Sequence, residues 1–293
     1  MSQHDEDLVS ATVRRWQLTE SLKQLREQAG MTIEQAVNEL SRQHARWSRP
    51  KLSRIENRHQ GVKPRDVEQL LDLYKVDEKT RKQLLDLAQT ANERGWWLTY
   101  RRDLPEDFHP LFTLEIAATG VRQFETLLIP GLLQTGDYAR AVVSAVTPDL
   151  SGNEIDRRVA ARLARQQILS RNNPPELHII LDQGILERPI GQPKTMRGQL
   201  LRLVEASDTP NTTVQILTKD VGATAGLEGP FSILSLPEPI PDVGYTEGVG
   251  GAVYLESVED VRRCTLRFGM LIDQALPPNK SVDLIASAAG RLG

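Results

Sequence analysis

Arg49, Lys51 and Arg54 lie between Ser48 and Asn57, in a stretch whose apolar positions are Leu52 and Ile55. On a helix with Leu52 and Ile55 turned to a core, the three cations occupy the outward side of the first two turns. A helix of that kind fits the major groove of duplex DNA. There an arginine can bond guanine O6 and N7 together, at roughly 1–3 kcal/mol of discrimination per good pair. Arg49, Lys51 and Arg54 are therefore the candidate base readers. Arg46, Asn57, Arg58 and Lys63 flank them and suit phosphate contacts, which set position rather than sequence. Thr32 and Gln35 open the preceding helix, whose N-terminal amides can also meet a phosphate. From Arg42 to Arg65 there are eight Lys or Arg residues and one acid, Glu56, whereas the whole chain carries a net charge of −3. A basic spot on an acidic protein points to a polyanion such as double-stranded DNA. The rival reading is a solvated cationic face that binds nothing. The capped helix pair and its inner apolar residues weigh against that reading.

Other chemistries find little support. Cys264 is the only cysteine, so neither an internal disulfide nor a thiolate cage is available, and a small buried side chain is expected there. His4, His44, His59, His109 and His178 are scattered without metal-ligand spacing, so no metal is expected. Gly248, Gly250 and Gly251 sit between strand-like runs rather than before a helix, which is not a phosphate-binding loop. Asp182, Glu187, Glu247 and Glu256 end strands and could form a carboxylate pair, but such groups more often cap or face solvent. His178 reads as a satisfied core or edge histidine. No catalytic residue and no cofactor are expected, and the chain is not read as an enzyme.

The elements that must position the cations follow from periodicity. Leu18, Leu22, Leu25 and Ala29 form one helical stripe, with Thr12 or Thr19 as its cap and Gly30 as its stop. Thr32 and Gln35 make a capping box for a second helix with Ile33, Ala36, Val37 and Leu40 inward. Ser41 to Arg46 reads as a polar turn. Ser48 caps the third helix, with Pro50 in its first turn. Pro64 opens a fourth helix and Glu78 to Arg94 a fifth. The expected organisation is a disordered tail over 1–14, an all-α helix-turn-helix domain of five short helices over 15–95, and a joint over 96–110. An α+β domain with a small, mostly antiparallel sheet then fills 111–293. Strands are predicted over Val121 to Leu128, Leu177 to Leu181, Thr213 to Leu217 and Phe231 to Leu236, with a hairpin across Gly248 to Gly251. Trp96 and Trp97 are expected to pack one domain on the next. Residues 1–95 hold 17 basic and 15 acidic groups and residues 96–293 hold 19 and 24, which assigns the halves different jobs. No apolar run approaches the ~20 residues of a bilayer span, and residues 2–7 are unlike a signal peptide, so a cytoplasmic, nucleoid-associated protein is expected.

The run Leu25 to Ala36, with Leu52-Ser53-Arg54-Ile55-Glu56, resembles the Cro/repressor-like (XRE) helix-turn-helix family. The connection from Gln43 to Trp47 is longer than that family's tight turn and lacks its glycine. Pro50 stands where the family often places a base-reading Gln or Ser. The resemblance implies an ion pair between Arg26 and Glu56. Ile129-Pro130-Gly131-Leu132-Leu133-Gln134-Thr135-Gly136-Asp137-Tyr138-Ala139-Arg140-Ala141 is similar to the Pro-Gly-Leu-Leu-Gln-Thr signature of a domain found behind this helix-turn-helix in actinobacterial regulators. Arg165-Gln166, Gln199-Leu200, Gly229-Pro230-Phe231 and Tyr245-Thr246-Glu247 match later parts. This resemblance implies a transcriptional regulator, a repressor or an activator, linked to development or antibiotic production, with a possible small regulatory protein partner. A homodimer is expected because two-fold operators call for one. The alternatives are a small-molecule-responsive regulator with a pocket among Trp96, Trp97, Phe124 or Tyr245, and an antitoxin-like autoregulating protein.

Overall fold

A computed structural model describes residues 11–44, 46–57, 60–90, 109–248 and 250–292. The chain divides into two compact units. The first contains five helices: α1 (Ala11–Gln28), α2 (Ile33–Gln43), α3 (Arg49–Glu56), α4 (Pro64–Tyr74) and α5 (Glu78–Thr90). α1 begins earlier than the sequence reading placed it. Residues 11–14 are helical rather than tail, and Thr12 and Thr19 both lie inside the helix. Thr19 spends its hydroxyl on the Trp16 carbonyl, 3.0 Å away. Gly30 ends the turn after α1 at φ +68°, a left-handed conformation that suits a residue without Cβ.

The core of this unit is built by Leu18, Leu22, Ala36, Val37, Leu40, Leu52, Ile55, Val67, Leu70, Leu71 and Tyr74, together with Trp47. Each fully buried aliphatic side chain contributes roughly 1.5–3 kcal/mol. α2 continues to Gln43, so the turn starts later than Ser41, and the connection to α3 spans residues 44–48. Trp47 is 5% exposed and pins that connection to the core. Its indole Nε1 donates to Gln69 Oε1 on α4 at 2.8 Å, and its carbonyl accepts from Ser41 Oγ at 3.3 Å.

The second unit is α+β. In chain order it contains α6 (His109–Ala117), β1 (Gly120–Glu125), α7 (Gly136–Val146), α8 (Gly152–Arg165), β2 (Glu176–Asp182), α9 (Gly184–Glu187), α10 (Pro193–Ser207) and β3 (Thr212–Leu217). β4 (Phe231–Ser235), β5 (Val243–Gly248), β6 (Gly251–Leu255), α11 (Val258–Gln274) and α12 (Pro278–Gly290) follow. The six strands form one sheet in the order β3-β2-β1-β4-β5-β6. This sheet is larger and more mixed than a small, mostly antiparallel one. β1 runs parallel to β2 and β2 parallel to β3, whereas β1–β4, β4–β5 and β5–β6 are antiparallel. The physical reason is the long α7–α8 excursion between β1 and β2 and the α10 excursion between β2 and β3. Such crossovers return a strand parallel to the one before it. The apolar run Leu177 to Leu181 fits that place, since a strand inside a parallel region is covered on both faces.

Side chains alternate along β1. Phe124 faces α11, packing with Ile180, Ile233, Cys264, Phe268 and Leu271. Val121, Gln123 and Glu125 point to the opposite side, towards a cavity. Cys264 is buried and its thiol is pushed up by that burial. His178 bonds Gln215 Oε1 at 2.7 Å and meets the Phe268 ring edge-on. Among the described residues no helix is long and apolar enough to cross a membrane. Trp96, Trp97 and the joint over 96–110 fall mostly outside the described residues.

Candidate nucleic-acid interface

Two capped helices hold the candidate residues. The Thr32 hydroxyl accepts from Gln35 N at 3.2 Å, and Gln35 Oε1 accepts from Thr32 N at 2.8 Å. Both side chains are exposed, but these atoms are committed to ending α2. Ser48 Oγ accepts from Lys51 N at 3.4 Å and caps α3, and Pro50 sits in the first turn, where no intrahelical N–H is needed. Leu52 and Ile55 then anchor α3 inward, at 1% and 0% exposure.

The remaining side of α3 is divided. Arg49 and Arg54 are exposed. Arg54 Nε donates to Gln60 Oε1 at 3.2 Å, which orients the guanidinium and leaves its two Nη groups without a partner among the described residues. Lys51 has a different place from the one read in the sequence. Its Nζ lies 3.0 Å from Asp66 Oδ2 and 4.0 Å from the centre of the Trp47 ring. Asp66 on α4 and the face of Trp47 together draw the ammonium back along the unit, so Lys51 braces α3 instead of projecting from it. Arg46 is exposed in the turn, and Lys63 is exposed just before α4. Asn57 ends α3 with its amide donating to Ser53 Oγ at 3.2 Å. Arg58 lies outside the described residues.

Behind this face, Arg26 and Glu56 join α1 to the last turn of α3. Arg26 Nε donates to Glu56 Oε1 at 2.7 Å and Nη2 to Glu56 Oε2 at 2.9 Å, a bidentate pair. Arg26 Nη1 also donates to the Met31 carbonyl at 2.6 Å, tying in the entry to α2. The hydrogen bonds that Arg26 donates to Glu56 hold the guanidinium above its already high value, against the opposing effect of burial. The buried Tyr74 phenol nearby is pushed well up, first by burial and then by the Glu56 charge.

Residues 17–84, spanning α1 to α5, match the model of a helix-turn-helix domain. Residues 108–287, more than half of the chain, match the family described as a domain of unknown function, DUF5753. The chain belongs to the DUF5753 family. No curated protein and no solved structure matches it.

Within the DUF5753 domain, the block from Pro130 to Thr135 is held by three glutamines. Gln134 Nε2 donates to the Ile129 carbonyl at 2.7 Å. Gln166 Nε2 donates to the carbonyls of Gly131 and Gln134 at 3.0 and 2.7 Å. Gln199, fully buried on α10, accepts from Thr135 N at 2.6 Å and donates to the Leu133 carbonyl at 2.8 Å. A buried irregular backbone must find such partners, which explains why amides cluster here. The Arg165 guanidinium lies close against Gly131: a Cβ there would stand 2.3 Å from Arg165 Nη2, and the side chain would have to shift.

The carboxylates considered for a catalytic pair are engaged elsewhere. Asp182 Oδ1 accepts from Gly184 N at 2.7 Å, and Glu187 pairs with Lys219. Glu247 accepts from Tyr245 Oη at 2.9 Å. Sequence reasoning missed Glu115, Glu125 and Arg162, which line the cavity beside β1 with Arg165. Only the spacing of Arg162 and Arg165 on one helix face hinted at them.

Proposed function

We propose that the chain is a sequence-specific, non-enzymatic transcriptional regulator whose helix-turn-helix unit reads duplex DNA as a homodimer. The observation that carries this reading is the face of α3. Arg49 and Arg54 are exposed on a short helix fixed from behind by Leu52, Ile55 and the Arg26–Glu56 pair. A rigid helix with two projecting guanidinium groups has what major-groove readout asks for. Arg49 and Arg54 take the base-reading role, and Lys51 positions the helix through Asp66 and Trp47. Arg46, Asn57, Arg58 and Lys63 take phosphates, with the α2 N-terminus at Thr32 and Gln35. The resemblance to Cro/repressor-like (XRE) and actinobacterial regulators supports a homodimer on a two-fold operator. It also supports a DUF5753 domain that receives a signal from a small protein partner.

Selection of bound duplexes from a random library tests the reading. An enriched motif with two-fold symmetry is expected, and neither Arg49→Ala nor Arg54→Ala should enrich the same motif. Recovery of no motif from the intact chain, or of an unchanged motif from both variants, overturns it.

A further inference from the structure

The side of β1 facing away from α11 opens on a cavity of about 430 Å3, closed by α6, α8, β4, β5 and the turn at Pro130 and Gly131. Its polar lining is Glu115, Glu125, Gln134, Arg162, Arg165 and Glu247. Leu111, Leu128, Val146 and Tyr245 supply apolar surface. A concave space where apolar walls meet converging polar groups is the usual form of a small-molecule site.

Its charges are not evenly matched. Glu115 Oε2 lies 2.9 Å from Arg165 Nε, an ion pair in which neither atom makes a hydrogen bond among the described residues. Glu125 accepts from Gln123 Nε2 at 2.7 Å, and Glu247 accepts from the Tyr245 hydroxyl at 2.9 Å. Arg165 also stacks over the Phe112 ring. Arg162 has no hydrogen bond or ion pair among the described residues. It is pushed down to about 10, first by burial and then by the neighbouring Arg165 charge. Gln134 is 3% exposed, and its Oε1 is buried without a hydrogen-bond partner among the described residues, while its Nε2 is held by Ile129. The Glu247 and Glu115 charges favour the charged form of Arg162 from a distance. A half-buried cation without a direct partner gains from an incoming anion.

We propose that this cavity binds a small organic anion, a carboxylate carried on an apolar body, with Arg162 holding the carboxylate. Gln134 Oε1 accepts an N–H or O–H next to it. The inference goes beyond the DNA-binding reading and is tested without DNA, so its failure leaves that reading standing.

The test is calorimetric titration of the full chain at neutral pH with octanoate, N-octanoylglycine and the uncharged methyl ester of N-octanoylglycine. Both carboxylates should bind, N-octanoylglycine more tightly, and the ester should bind at least 10-fold more weakly than its acid, as expected for loss of a charge-assisted hydrogen bond. Arg162→Gln should weaken the acids by a similar factor while leaving the unliganded protein as stable or more stable. A merely structural arginine would not give that result. Val146→Trp, at a rim position that is 64% exposed, should obstruct the cavity and weaken binding even if Arg162→Gln fails to fold. The proposal is overturned if neither carboxylate binds, if the ester binds as well as the acid, or if the variants bind like the parent chain.

Discussion

Arg26→Met tests how the reading helix is held. The Arg26 and Glu56 side chains are 9% and 4% exposed, and both guanidinium–carboxylate bonds are short. Methionine keeps much of the volume and removes the charge, which leaves the Glu56 carboxylate buried and unpaired and the Met31 carbonyl without its donor. Breaking a buried pair from one side costs about 3–5 kcal/mol. Against a total of about 5–15 kcal/mol for a domain, that is a large share. For a unit of this size each kcal/mol moves the midpoint by roughly 4–8 °C, so the variant should melt at least ~10 °C lower. Adding Glu56→Leu removes the stranded carboxylate and should recover most of the loss, because an apolar pair of similar volume is often neutral. The assay is thermal unfolding followed by circular dichroism, in a double-mutant cycle. A single variant melting within about 2 °C of the parent, or a double variant no better than the single, would refute the assignment of this pair as the brace behind α3.

Three further outcomes follow from the same geometry. Trp47→Ala removes a buried ring and its bond to Gln69, and should lower stability by about 3–5 kcal/mol in denaturant titration. Lys63→Ala should weaken binding to all duplexes alike and reduce the slope of log affinity against log salt by about 1, measured by fluorescence anisotropy; a loss confined to one base pair would point to base contact. Burial raises the Glu125 carboxyl from 4.5 to about 7, with the Glu247 charge adding to it. A raised folded value means that the stabilising contribution is complete below about pH 4.5 and is lost as pH rises through about 7. Glu125→Gln should therefore flatten the fall in melting temperature across that window, and an unchanged pH profile would contradict it.

What was legible in the sequence was local. Thr32 with Gln35, and Ser48 with Pro50, mark helix starts within four residues, and the inner stripe of Ile33, Ala36, Val37 and Leu40 marks the buried face. The role of Trp47 was not legible, because a tryptophan in a polar stretch does not announce that it folds back on α4. The contact of Lys51 was hidden for the same reason: helical spacing puts it outward, but Asp66, fifteen residues on, draws the ammonium to itself. In the second unit, Leu177 to Leu181 marked a buried strand, yet its parallel partners depend on the length and path of α7, α8 and α10. The cavity is assembled from α6, β1, α8 and β5, so Glu115, Glu125, Arg162 and Glu247 carry no common local signal.

The central claim is that Arg49 and Arg54 read bases. It is tested most directly by measuring the affinity of the intact chain and of each Arg→Ala variant for every single-base-pair change in the selected operator. The account predicts that each variant loses about 1–3 kcal/mol on the parent site. Each should also become indifferent to changes at one or two base pairs while remaining sensitive elsewhere. A uniform loss across all sites, or an unaltered pattern of preferences, would contradict it.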